Sequence, residues 1–185
     1  RSKVEEEEIN ISPQDLYEIG VVGRISRLLK LPEDAIQILV FGLNKFRVLE
    51  WVQFNPYPVA KIELIKEDDA RTDESEALMR NILTLFQKVV ELAPYLPKEI
   101  FVAAMNIKQP SRLAHFVVSN LNLDVESKQN ILATNELIDK LKKVSYYLTR
   151  ELDILQIGSK IQTQIQSEMA KTQSEYFLRE QLKAI

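Results

Sequence analysis

Apolar residues recur at helical spacing through the last third of the chain, and the remainder is read outward from there. Leu137, Leu141, Val144, Leu148, Leu152 and Leu155 follow one another in steps of three and four, which keeps them on one helix face. Thr134 and Asn135 are short oxygen-bearing side chains placed to cap such a helix. Asp139 with Lys143 and Glu175 with Arg179 stand four positions apart, a spacing that lends a few tenths of a kcal/mol, about 0.2–0.5 per pair. Beyond Gly158 the stripe thins to Ile161, Ile165, Met169 and Tyr176 in a mostly polar segment. Helical stability in proteins comes mainly from packing, so a helix this polar has no core of its own to bury. The pattern predicts a helix over 134–185 whose first half packs on a body and whose second half projects toward a partner, commonly another copy of itself. One glycine costs only about 1 kcal/mol in a helix, which favours continuity over a hairpin broken at Gly158.

Upstream, the period changes. Between Leu16 and Glu67 the pattern is strand-like: Val21-Val22 with Ile25, Leu28 and Leu29, then Ile36 to Phe41, Phe46 to Val52, and Ala60 to Leu64. Gly42 and Asn44 read as a break between the second and third runs. Leu31-Pro32-Glu33-Asp34 and the prolines Pro56 and Pro58 read as turns. Ala60, Ile62 and Leu64 alternate with Lys61 and Glu63, which predicts an inward and an outward face. At least four strands in a small antiparallel sheet or barrel are expected over 1–67, too short a stretch to bury much by itself.

From 68 to 133 the period is helical again. Asp73-x-x-Glu76 has the form of a capping box. It precedes Leu78, Ile82, Leu85, Phe86, Val89 and Val90 on one face. Pro94 ends that helix, and Pro97 and Pro110 suit the first turns of the next two. These carry Ile100, Phe101, Ala104 and Met105, then Leu113, Phe116, Val117 and Leu121. Asp124 is placed to cap a short helix through Ile131 and Leu132. Short connections predict a compact bundle completed by the first half of the long helix. The expected organisation is therefore α+β: a β-rich unit over 1–67, a helical unit over 68–133 and a long helix over 134–185.

Composition removes several function classes. The net charge of −3 argues against nucleic acid as the main partner, because such binding depends on neutralising phosphates. With no cysteine and one histidine, disulfides, thiol chemistry and the common zinc sites are out of reach. No apolar run approaches the ~20 residues of a membrane span. There is no GxxxxGK[ST] loop to hold phosphates, and four glycines make no dinucleotide fingerprint. His115 sits among apolar neighbours and reads as a half-buried helix residue. The run Glu5 to Glu8 and the pair Asp68-Asp69 read as solvated loop. The sequence begins at Arg1, and the expectation is a piece of a longer protein. Binding residues are therefore sought among exposed apolar groups. Trp51, Phe54 and Tyr57 cluster near the prolines, with core filling the competing role for Trp51. On the distal helix the candidates are Ile161, Ile165, Met169, Tyr176 and Phe177, with packing against a downstream domain the competing role for Tyr176 and Phe177.

The stretch DLYEIGVVGRISRLLKLPEDAIQILVFGLNKFRV resembles the amino-terminal domain of Lon proteases. Gly20, Ile25, Leu31, Pro32, Leu39, Val40, Gly42, Leu43, Phe46, Arg47 and Val48 stand in matching places. Glu33-Asp34 replaces that family's Asp-Gly turn, and Phe41 replaces its acidic residue. SEYFLREQLKAI, from Ser174 to Ile185, is similar to the family's junction with its ATPase module; LPKEI, PSRLAHFVVSNL and ELDILQIGSKIQ match between them. The resemblance implies a small pseudo-barrel, incomplete here because the family carries further strands upstream, then a helical subdomain and a very long helix. It also implies a non-catalytic region that recognises unfolded or degron-bearing protein substrates and supports assembly. The whole protein would be a homo-oligomeric, usually hexameric, ATP-dependent serine protease. Its ATP and Mg sites and its Ser-Lys dyad would lie downstream, in a bacterial cytoplasm or a mitochondrial matrix. The rivals are a stand-alone binding module of the same fold, a catalytic fragment and a nucleic-acid binder.

Overall fold

The computed structural model describes residues 12–32 and 35–183. The Glu5 to Glu8 run, Glu33, Asp34, Ala184 and Ile185 lie outside the described residues. The chain divides into two compact units, 1–68 and 69–185.

The first unit is built on three antiparallel strands, β1 (Ile19–Lys30), β2 (Ile36–Gln53) and β3 (Val59–Ile65), in the order β1-β2-β3. The expected break at Gly42 and Asn44 does not occur, so three strands stand among the described residues where at least four were predicted. Val22 faces Asn44 and Gly23 faces Gly42, leaving Leu43 unopposed as a bulge inside one continuous strand. Turn-forming residues are absorbed there by an extra residue, which bends and twists the ribbon without ending it. Ser26 on β1, and Leu49 and Val52 on β2, are likewise skipped by the register. The β1–β2 hairpin is closed by the Leu31 N–H donating to the Ala35 carbonyl at 2.8 Å.

Two further features shape this sheet. Gly20 lies opposite Phe46, whose ring covers it: a Cβ at Gly20 would fall 2.5 Å from Phe46 Cζ. Lys45, in the middle of β2, is buried, and its Nζ lies 3.9 Å from Oε1 of Glu67, just past β3. The sequence pattern gave no hint of this, since Lys45 follows Asn44 in what reads as a loop. The apolar alternation of β3 does not produce a buried face here. Ile62 and Leu64 are exposed, as are Ile25, Leu28, Ile38 and Val40 on the neighbouring strands. Alternation says which side chains share a face; a second layer is needed to bury them, and the three strands of this unit supply none.

The second unit is helical: α1 (Asp73–Leu92), α2 (Glu99–Met105), α3 (Pro110–Asn120), α4 (Val125–Ala133) and α5 (Leu137–Lys183). Its core is the predicted stripe set. Ile82, Phe86 and Val89 of α1 meet Leu113 and Val117 of α3, Ile131 of α4, and Leu141, Val144 and Leu148 of α5, all fully buried. Each such side chain contributes about 1.5–3 kcal/mol by leaving water. Met105, one of the apolar residues carried by α2, is exposed: α2 is a short helix of 7 residues that buries Ala104 alone.

The caps differ from expectation by small shifts. The box that opens α1 is Thr72 with Ser75, not Asp73 with Glu76. Thr72 Oγ1 accepts from the Ser75 N–H at 3.1 Å, and Ser75 Oγ accepts from the Thr72 N–H at 2.9 Å. Thr134 does not open the long helix. It closes α4, its N–H donating to the Asn130 and Ile131 carbonyls, while α5 starts at Leu137 with the Glu136 carbonyl accepting its first bond. Lys143 reaches Asn130 and Thr134 at 2.7 and 2.9 Å rather than Asp139. Asp124 caps α4 as predicted, accepting from the Ser127 N–H at 2.6 Å, and that bond holds its carboxyl below the usual carboxylate range. Asp69, read as solvated linker, accepts from the Ser111 N–H at 2.9 Å and so satisfies the first turn of α3, where Pro110 supplies no donor.

The long helix passes through Gly158 without interruption over 47 residues, roughly 70 Å at the ordinary helical rise. Its buried positions end at Leu152. Leu155, half-buried, still packs against the core, and the apolar residues beyond it are exposed, so α5 is a packed helix for its first turns and a projecting one thereafter.

Candidate functional site

Two surfaces gather the candidate residues. The first is the turn joining β2 to β3. Trp51 faces Ala60 across the ladder, and its ring meets that of Phe54 with centroids 5.2 Å apart, tilted at 43°. Both are half-buried, and Tyr57, at the tip of the same turn, is exposed. The Gln53 side-chain amide donates to the Tyr57 carbonyl at 3.4 Å, and Lys61 with Glu50 forms an exposed ion pair at 2.7 Å beside it. Trp51 and Phe54 are brought together, then, while Tyr57 presents its ring outward a few residues away. Core filling, the competing role for Trp51, is met in part, through Phe54.

The second surface is the distal half of α5. Ile161, Ile165, Met169, Tyr176 and Phe177 are each more than half exposed. Ile154 and Ile157, not singled out from the sequence, extend the stripe back to the bundle with similar exposure. They escaped notice because they follow Leu152 without a gap and look like more of the packed stripe. Ile154, Ile165 and Tyr176 fall eleven residues apart. At that spacing a stripe drifts only about 20° per repeat around a straight helix, so it stays on one side along its whole length. The two surfaces lie on different units, and neither depends on the other for its shape.

What these surfaces can do is limited by their chemistry. They offer aromatic, aliphatic and thioether groups flanked by amides and hydroxyls, with no activated nucleophile. Among the described residues no group of three or more His, Asp or Glu is arranged to hold a metal ion, and no helix is long and apolar enough to cross a membrane. Exposed apolar patches of this kind mark contact surfaces for proteins, membranes or ligands.

Comparison with known proteins agrees with that chemistry. Residues 2–150 match the family described as the ATP-dependent protease La (LON) substrate-binding domain. The Lon protease of Dictyoglomus thermophilum is 48% identical over 174 residues, 94% of this chain and 22% of that protein. The Lon protease of Koribacter versatilis is 42% identical over 175 residues, again 94% and 22%. The chain thus spans about a fifth of the length of the curated relatives it matches. Its fold is similar to that of the N terminal domain of Mycobacterium avium complex Lon protease, with a TM-score of 0.63 at 18% identity over 71% of this chain and 70% of that one. A Lon N-terminal domain protein from Xanthomonas campestris aligns with a TM-score of 0.51 at 15% identity, over 72% and 70%. By the match over residues 2–150, supported by relatives at 48% and 42% identity, the chain belongs to the Lon protease substrate-binding domain family.

Proposed function

We propose that this chain captures unfolded or damaged polypeptides for a Lon-type ATP-dependent serine protease and helps hold that protease together as a homo-oligomer, a hexamer in this reading. The supporting observation is the line of exposed apolar side chains from Ile154 to Tyr176 on a helix that has left its core. Extended apolar segments of a substrate, or the same helix of a neighbouring subunit, would both gain by covering it. Trp51, Phe54 and Tyr57 supply a second contact for substrate. ATP and Mg would bind outside these residues, and hydrolysis of peptide bonds would be the work of the rest of the protein. The cellular setting we favour is the bacterial cytoplasm, ahead of the mitochondrial matrix.

Titrating the chain with carboxymethylated lactalbumin, which cannot refold, and with the native protein tests the capture step. Binding of the unfolded form in the micromolar range or weaker is expected, since one apolar surface without avidity supplies about 8 kcal/mol or less. Equal affinity for the native form would refute it.

A further inference from the structure

The helical unit carries a cavity of about 180 Å³ between the start of α1 and the chain that follows α2. Its floor is apolar and soft: Met79 and Leu83 from α1, Met105 and Ile107 from the other side. Met79 is buried at 7% exposure, while Met105 is 47% exposed. Thioether side chains adapt their shape to what they cover, which suits a site that takes one apolar side chain without strict shape selection. The rim is of a different character. Arg71, Arg80 and Lys108 supply three cations, against the single carboxylate of Glu76. Glu76 is shared between Arg71 at 3.5 Å and Arg80 at 3.7 Å, and Lys108 has no carboxylate within ion-pair distance among the described residues. In a chain of net charge −3 the charge lining this opening is net positive.

We propose that this groove binds an extended polypeptide segment in which an apolar side chain is flanked by carboxylates. The inference rests on the substrate-capturing role argued above and gives it a chemical preference. The apolar side chain enters between Met79 and Met105. The flanking carboxylates face Lys108 and the unshared edges of Arg71 and Arg80. Charges on a rim select partners and orient them more than they add affinity, so the groove discriminates by sign, and that discrimination weakens as salt rises.

The test uses the whole 185-residue chain and three dye-labelled peptides with glycine-serine flanks, carrying Asp-Leu-Asp, Lys-Leu-Lys or Asp-Ser-Asp, read by fluorescence anisotropy at low salt. The Asp-Leu-Asp peptide is expected to bind about fivefold tighter or more than either twin: against Lys-Leu-Lys through two exposed charge contacts, and against Asp-Ser-Asp through burial of the leucine side chain. Lys108→Glu should erase or reverse the preference between the acidic and basic peptides. Met105→Ser should weaken the two leucine peptides alike. Both positions are exposed, and thermal melts confirm that each variant folds; Arg80→Ser serves as the replacement if one does not. Equal binding of the acidic and basic peptides, or a preference that survives Lys108→Glu, overturns the proposal. If carboxymethylated lactalbumin still binds in that case, the groove is at fault and the capturing role stands. If lactalbumin does not bind either, the capturing role itself is wrong and the groove proposal falls with it.

Discussion

The phenol of Tyr95 donates to Oε1 of Glu151 at 2.7 Å, tying the α1–α2 connection to α5 one residue before its last buried position, Leu152. Glu151 is itself only 9% exposed. The bond therefore stands near the point where the long helix leaves the bundle. Burial, then the hydrogen bond to Glu151, raises the phenol's pKa above its ordinary value of 10.0, with a backbone contact from Asn122 opposing.

Tyr95→Phe should cost about 1–2 kcal/mol at neutral pH, because it removes a bond to a charged acceptor and leaves Glu151 half-satisfied. The sign of the pH dependence follows from the raised value. A group whose folded pKa lies above its unfolded one contributes fully below the unfolded value and loses that contribution as pH rises through the folded one. Urea unfolding should show a constant gap between parent and variant up to the ordinary phenol value of 10.0, then a narrowing gap above it. A gap that narrows on acidification between neutral pH and mild acid, with none of this alkaline change, would contradict the assignment to Tyr95.

Much of the helical unit was legible because its stripes must meet in one core. Ile82, Phe86, Leu113, Leu141 and Leu148 could be named in advance, since a period of three and four leaves few other partners. The α1 cap slipped by one residue because Thr72 and Asp73 offer equivalent oxygens, and only the tertiary geometry chose between them. The sheet was less legible. Gly42 and Asn44 favour turns locally, yet β2 pairs with β1 through Arg47 and with β3 from Lys45 onward, and the ladder carries them through as a bulge. Whether Ile62 and Leu64 are covered is decided by residues far away or outside the chain, which no local pattern encodes. The distal α5 stripe was visible as a thin stripe on a polar helix, but its start at Ile154 was hidden behind the packed residues before it.

In the sheet, Gly20→Val should be the damaging substitution. A Cβ there would press into the Phe46 ring at 2.5 Å from Cζ and 2.8 Å from Cε1, and a branched side chain would press further. Overpacking of this kind costs about 1–3 kcal/mol. Hydrogen exchange should show faster opening of β1 and β2 amides in the variant. Pairing it with Phe46→Leu should restore part of the loss, because the smaller side chain vacates the space above Gly20. Additive damage from the two changes would mean that the contact is not the cause.

Gly158→Ala should go the other way. Nothing lies within 4 Å of a Cβ built at Gly158, and the helix is continuous on both sides. Alanine then gains its full helix preference of about 1 kcal/mol without a clash. Higher helicity by circular dichroism and slower amide exchange around 158 are expected. Unchanged or lower helicity would indicate that the backbone at Gly158 departs from a helix in solution.

The two halves of α5 should respond differently to truncation. Leu148 is fully buried in the helical core, so Leu148→Ala leaves a cavity and should cost about 2–5 kcal/mol. Met169 and Tyr176 are 59% and 68% exposed, and Met169→Ser or Tyr176→Ser removes no intramolecular packing. Their melting temperatures should stay near the parent's, within the roughly 0.5 kcal/mol typical of surface changes. The same two variants should weaken self-association of the chain in sedimentation, and substrate degradation in the full-length protein, if the stripe is covered there by another helix or by substrate. Melting as early as Leu148→Ala would mean that the distal stripe is already packed against this chain's own bundle in solution. Normal melting with undiminished assembly and degradation would remove the stripe from the list of functional surfaces and leave the Trp51–Phe54–Tyr57 turn and the α1–α2 groove as the places where substrate is held.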